Sequence, residues 1–466
     1  MKIGLVGPSY KARSLPFDAQ RTVNLFPVID KLGSEVSALY GTPGLNLFCV
    51  AGAGPVRGCL SAANQRAFVV SGSGLYEIYS NGIAAYLGAI GTSSGAVSMA
   101  ENGLQLAICD GVRLYIFTYA TGVLNQVTDA DLPSPKIVSF LDGYFIVVKN
   151  DSGQFYISDL YNGNSWSALE FASAESSPDN LSIAAPFVGQ LALFGFNTTE
   201  IWRNTGDPTF PFTRISGAMP IGTLAPFTVC QADQSVFWVG NNSQGGGVVY
   251  RAQGFTPQRI STEAIELILQ KETSPQSLRA WSYQQEGHVF YVITGGNLKT
   301  SLVYDLSTDL WHERAFLSTS GEYEQHLACC CMFAFGKQLV GDRISGNIYN
   351  LSLDTYTDNG SAILRKRVYT HLLDEQKYLR FKNLQINFET GVGLQNGQGA
   401  DPQVSFRVSS DGARTWGDIY TTSIGKVGKY KQQVKFRRLG IMQQGTFEIS
   451  VSDPVKMAII GSYLNT

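Results

Sequence analysis

Charged residues are scarce in this 466-residue chain, making up 15 % of it, against about a quarter in ordinary globular proteins. The formal net charge is −2, so no global excess of either sign marks a binder of nucleic acid or anionic membrane. Long apolar runs are missing too. The start of the chain carries one lysine and a four-residue apolar run before Gly7-Pro8, too short for a signal-peptide core. No later stretch reaches the length of a membrane span, so a soluble, intracellularly made protein without a membrane anchor is expected. The seven cysteines include three in a row, Cys329, Cys330 and Cys331. Neighbouring strand residues point to opposite faces, and an odd count leaves no disulfide framework. No C-x-x-C pair is present, and the four histidines (His288, His312, His326, His371) are scattered, without H-E-x-x-H or metal-ligand spacing. Walker and Rossmann glycine patterns are absent as well. No catalytic, cofactor-binding or metal-binding residue is therefore assigned, and no cofactor is expected. Helical periodicity is nearly absent; the one candidate is 261–272, with Ser261 as N-cap and Glu263 and Glu266 near its start.

What the chain has in quantity is glycine, 49 residues, with 22 Tyr and 26 Phe. From about residue 56 an alternating apolar strand, a Gly/Asn/Asp turn and an aromatic-rich strand recur. Phe68, Leu106, Phe145, Leu193, Phe237, Phe290 and Leu339 anchor the copies, roughly 40–50 residues apart, the interval of a four-stranded propeller blade. Each copy is a hairpin that buries its apolar face only against a neighbour. The expected fold is all-β: a six- or seven-bladed β-propeller over 56–370. Strands within 1–55, joined by a Gly-Thr-Pro-Gly turn, are expected to dock on the last blade and close the ring. Beyond 371 longer alternating strands replace the blade rhythm, predicting a C-terminal antiparallel β-sandwich-like domain over 371–466.

Two features of that last region bear on function. Ser409, Asp411, Thr415 and Trp416 have the spacing of the Asp-box turn, Ser-x-Asp-x-Gly-x-Thr-Trp, often found in propeller sialidases, with Ala413 where the turn expects glycine. Ser and Asp side chains cap backbone N–H groups in such a turn and the tryptophan packs beneath it, which is structural. A sialidase also needs several arginines around a carboxylate, and no spacing assembles them. Between Asp418 and Glu448 there is no acid, while Lys426, Lys429, Lys431, Lys435, Arg437 and Arg438 all occur there. Alternation in a strand would put Tyr430, Val434 and Phe436 on one face and Lys429, Lys431, Lys435 and Arg437 on the other. Four cations on one face repel one another and call for water, phosphate or an acidic partner. They are the candidate partner interface.

The stretches "RTVNLFPV", "ALYGTPGLNLF" and "GAGPVRG" near the start resemble the packaged-DNA stabilisation proteins of short-tailed bacteriophages, also called tail hub or nozzle proteins. So do "FRVSSDGARTWG" and "FEISVSDPVKMAIIGSYL" near the end. The resemblance implies a non-enzymatic virion tail protein made in the host cytoplasm. It further implies a homo-oligomeric, six-copy ring below the portal and adaptor proteins. Packaged double-stranded DNA would leave through that ring, and a needle, plug or fibre would attach to it. Two other readings are a propeller glycosidase and a cytosolic propeller scaffold that binds peptides in its central pocket.

Overall fold

The computed structural model describes residues 2–4, 6–30, 37–174, 179–369 and 377–465. Seven propeller sheets are present among them. Five are formed within 56–89, 98–126, 135–173, 181–219 and 222–259, each by consecutive antiparallel strands. The sixth is built on 278–317, and the seventh on 328–352 with Gly44–Val50 added as its outer strand. The ring therefore closes on a strand from the start of the chain, which pairs with Asn347–Ser352.

The repeat follows from two-sided burial. In the second strand of the first blade, Phe68 and Val70 pack toward the second blade, while Ala67 and Val69 pack toward the seventh. The same alternation distributes side chains into seven inter-blade cores. All seven sequence anchors lie in second strands and are 0–1 % exposed. In five successive blades the first two strands are joined by a two-residue turn with both residues at positive φ. These are Asp142-Gly143, Val188-Gly189, Asp233-Gln234, Glu286-Gly287 and Phe335-Gly336. That is the turn whose twist matches the flanking strands.

The C-terminal domain is a two-sheet sandwich around one apolar core that includes Leu384, Ile386, Phe406, Phe436, Phe447 and Ile459. One sheet contains Leu379–Phe388, Val434–Met442 and Ala458–Asn465, with Leu25–Ile29 and Ser37–Gly41 at its edge. The other contains Arg365–Val368, Thr446–Val451, Gln403–Ser409 and Tyr420–Ser423. It does not stop at the domain border. Ala19–Val23 pairs with Arg365–Val368 on one side and with Leu310–Leu317 of the sixth blade on the other, so one sheet runs from propeller into sandwich. Within the N-terminal stretch, then, only Gly44–Val50 enters a blade as its closing strand.

The single α-helix among the described residues is Glu263–Leu269, with Thr262 rather than Ser261 at the N-cap position. Ser261 is occupied elsewhere: its hydroxyl donates to Glu266 Oε1 (2.7 Å) and accepts from the Val249 N–H (3.0 Å). No helix among the described residues is long and apolar enough to cross a membrane. All seven cysteines are free.

His288, His312 and His326 are buried strand or strand-flanking residues; His371 lies outside the described residues. His288 Nδ1 sits 2.8 Å from Asp305 Oδ2. Burial pulls His312 down to about 4 despite the nearby carboxylates of Asp305 and Glu313. Burial, reinforced by Arg314 and Arg343, pulls His326 down to about 3. Both histidines stay neutral when folded but titrate near 6.5 when unfolded. Their contribution is complete above about pH 6.5 and is lost as pH falls through about 4 and 3. Asp358 works in the opposite sense, because burial raises it to about 7 and protonation then favours the fold. Two histidines outweigh one acid, so the melting temperature is expected to fall from pH 6.5 to 4. His312→Leu, which removes a ring with both nitrogens unpartnered, should flatten that fall in thermal melts; an unchanged slope would contradict this assignment.

Candidate partner interface

The Asp-box residues come together as a capped turn. Ser409 Oγ accepts from the Ala413 N–H (2.9 Å) and donates to Asp411 Oδ1 (2.8 Å). Asp411 also accepts from the N–H groups of Arg414 (3.0 Å) and Thr415 (2.9 Å) and from the Thr415 hydroxyl (2.6 Å). Those donors, the Thr415 hydroxyl foremost, hold the Asp411 carboxyl well below the usual range. The carboxylate is engaged by the turn as a cap. Trp416 lies under the Arg407 guanidinium, 4.9 Å from ring centroid to Cζ. Ala413 adopts φ 63°, the left-handed conformation that the motif's glycine would take without strain. A further motif, one not picked out from the sequence, is equally structural. Gly91, Ser93 and Gly95 have the G-x-S-x-G spacing of a nucleophile elbow. The carbonyls of Thr92, Ser94 and Gly95, however, all accept from the Arg57 guanidinium (2.7–2.8 Å), which fixes a loop.

The basic stretch is arranged differently from a single strand. Gly425 and Gly428, at φ 118° and 80°, turn the chain, and the strand begins only at Val434. Lys429 and Lys431 therefore sit on an exposed loop, and Tyr430 is 74 % exposed instead of lining an apolar face. From Val434 the alternation does hold. Val434 and Phe436 enter the sandwich core, while Lys435 and Arg437 point outward opposite Gln385 and Asn383. Arg380, on the neighbouring strand and paired with Ile441, extends the same outer face. The result is a basic sheet face, with Lys429 and Lys431 on the adjoining loop.

A second cluster of charge lies inside, along the sheet shared by the two domains. Glu313 of the sixth blade accepts from Arg21 Nε (3.0 Å), Ser9 Oγ (2.9 Å) and Thr300 Oγ1 (2.8 Å). Burial alone would raise the Glu313 carboxyl, but Arg21 and these hydrogen bonds outweigh it and lower it. Further along, Glu448 accepts both forks of Arg407 (2.7 and 3.0 Å) and lies 3.6 Å from Lys366. Tyr323 covers the seam, with Arg21 and Lys366 over its ring at 5.9 and 5.3 Å. Arg367 donates to Gln20 (2.7 Å) and Thr22 (3.0 Å). The sequence signal for this seam is three successive cations in a short strand, Arg365, Lys366 and Arg367, whose partners lie far along the chain. Among the described residues no cluster of His, Cys, Asp or Glu is placed to hold a metal ion.

The family described as bacteriophage P22 Gp10, beta-propeller, matches residues 1–356, and that described as bacteriophage P22 Gp10, beta-sandwich, matches residues 365–466. The chain belongs to the bacteriophage P22 Gp10 family. Gp10-family membership makes it a structural component of a bacteriophage virion, and the two matched segments correspond to the propeller and sandwich described above. No curated protein matches the chain. Among solved structures it is similar to the WD40 propeller domain of Doa1 (11 % identity, 66 % of this chain and 96 % of that one, TM-score 0.40). It is also similar to the propeller domain of Myceliophteria thermophila Cps50 (Swd1) (9 %, 66 % and 99 %, TM-score 0.43). A third is the WD40 domain of Neurospora crassa Pan2 (9 %, 67 % and 96 %, TM-score 0.43).

Ala413→Gly should raise unfolding free energy by about 1 kcal/mol, since an L-residue in the left-handed region costs about 1–2 kcal/mol and glycine's extra chain entropy offsets part of that. Denaturant titration checks it; a destabilised variant would contradict the turn account.

Proposed function

We propose that this Gp10-family chain is a tail hub or nozzle subunit. Several copies, six by the resemblance, form a ring below the portal and adaptor, retain packaged DNA, and carry a needle, plug or fibre. The observation that carries this reading is the match of both domains, propeller and sandwich, to the P22 Gp10 family. The architecture supports it physically. A closed propeller and a sandwich joined through one continuous sheet form a body that bears load without hinging at the domain border. The centre of a single propeller is not a DNA conduit. The inner strands of blades two to six, with Phe227, line a cavity of about 490 Å³, a small-molecule volume. DNA would pass through a lumen enclosed by several copies.

In that lumen, sparse positive charge is an asset. A lysine-lined bore would hold phosphates by counterion release, with an affinity that climbs steeply as contacts accumulate. A near-neutral wall lets the duplex slide while loops constrict it sterically. Reconstruction of the virion vertex should place few Lys or Arg on the lumen wall; a lysine-lined bore would overturn this mechanism.

The basic outer face of the sandwich then serves protein docking rather than DNA. Lys431→Glu combined with Lys435→Glu should leave circular dichroism and melting unchanged while blocking incorporation into tails. Normal incorporation of that double variant, measured as infectious particle yield, would remove the assignment.

A further inference from the structure

Opposite the sandwich, the third blade carries a feature the blade architecture does not require. Its outer strand, Asn162–Ser173, follows its partner normally at Tyr156↔Phe171 and Ser158↔Trp166. One residue, Ile157, thus lies across from the four residues 167–170, which bulge outward. Leu169 at the bulge is 86 % exposed, and Leu160 in the preceding turn is 57 % exposed. Isolated exposed leucines need no explanation, but these two lie on one hairpin of paired strands beside Asp159 and Glu170, whose charges interact, and exposed apolar residues sharing a surface mark an interaction site. Acids surround the cluster. Asp159 is exposed beside Leu160, and Asp142 is exposed in the turn whose Gly143 touches Leu160 and Tyr161. Burial and the charge of Asp159 both raise the Glu170 carboxyl, as expected for neighbouring acids lacking a cation. From residue 114 to 202 the sequence holds nine acids and two lysines, Lys136 and Lys149.

The outer face of the sandwich has the complementary character. Lys435, Arg437 and Arg380 share that face with Ile441, which is 64 % exposed. The sandwich grows from the sixth blade. Counted around seven blades, the third is three steps away one way and four the other, so the two surfaces lie on opposite sides and cannot meet within one chain. A pair of different, complementary surfaces on opposite sides is what a heterologous head-to-tail contact needs to build a ring. Apolar residues supply the desolvated centre, and the surrounding charges set register and exclude wrong partners.

We propose that the acid-rimmed apolar bulge of the third blade docks on the basic outer face of the C-terminal sandwich of the next copy. This rests on the ring reading above and names the surfaces that make the ring.

Charge exchange tests it. Asp159→Lys with Glu170→Lys, and separately Lys435→Glu with Arg437→Glu, should each cut incorporation into tails by about tenfold or more, the loss expected for about 1.4 kcal/mol. The chain carrying all four changes should recover most of that loss. Near-UV circular dichroism and melting of each purified variant verify folding. As a second readout, chains with Asp159→Cys and Arg437→Cys should be joined between copies by a bismaleimide in assembled particles. Rescue with cross-linking supports the contact. If either pair has no effect, or the fourfold variant stays defective, the contact is overturned. Reconstruction of wild-type particles separates the two levels: several touching copies without rescue discard only this contact, whereas a single isolated copy discards the ring itself.

Discussion

Everything in this molecule depends on one strand insertion. Ala19–Val23 lies between the last strand of the sixth blade and the first strand of the sandwich, so a short N-terminal segment turns two domains into one sheet. The insertion is held by an ion pair between the partly exposed Arg21 and the buried Glu313, so losing Arg21 would leave a buried carboxylate without its cation. Asn24, at φ 55°, ends the strand. Its side chain donates to the carbonyls of Ala315 (2.9 Å) and Leu364 (3.0 Å) and accepts from the Ala315 N–H (2.9 Å). The next two residues divide between the cores: Leu25 enters the sandwich and Phe26 the space between the sixth and seventh blades. Gly44–Val50 then closes the propeller. The first fifty residues thus make both the ring closure and the domain junction.

That arrangement has a mechanical meaning for a virion component. A linker between domains would let them rock under load. The junction, a backbone pairing at Val23↔Glu313 with the Asn24 N–H on the Glu313 carbonyl and the Ser9 N–H on the Trp311 carbonyl, is backed by the charged seam from Glu313 to Arg407, so rocking would have to break these bonds together. Low surface charge is consistent with the same role, since interface centres are depleted of charged residues. The charges the chain does carry are divided: some lie in the seam, and others are segregated into an acidic third blade and a basic sandwich face.

The propeller was legible in the sequence because blade physics is local. Phe68 and Phe145 recur at blade spacing, since each second strand is buried on both faces and must be apolar along its length. The Asp-box turn was legible for the same reason, its donors and acceptors lying within four residues. Long-range insertion was not legible. Nothing near Arg21 reveals that its partner is 292 residues away, nor that strands at 25–41 belong to a sheet completed by the last residues of the chain. The basic stretch was half legible: alternation held from Val434, where the strand is pinned by its neighbour, but Gly425 and Gly428 break the pattern before it. Ser261 misled because a hydroxyl one residue before the cap was drawn to Glu266.

Differential scanning calorimetry of the intact chain tests the central claim most directly. If the inserted strand fuses propeller and sandwich, they melt in one transition with equal calorimetric and van't Hoff enthalpies. Two separate transitions, or a van't Hoff enthalpy near half the calorimetric one, would show domains that unfold independently and would contradict the account.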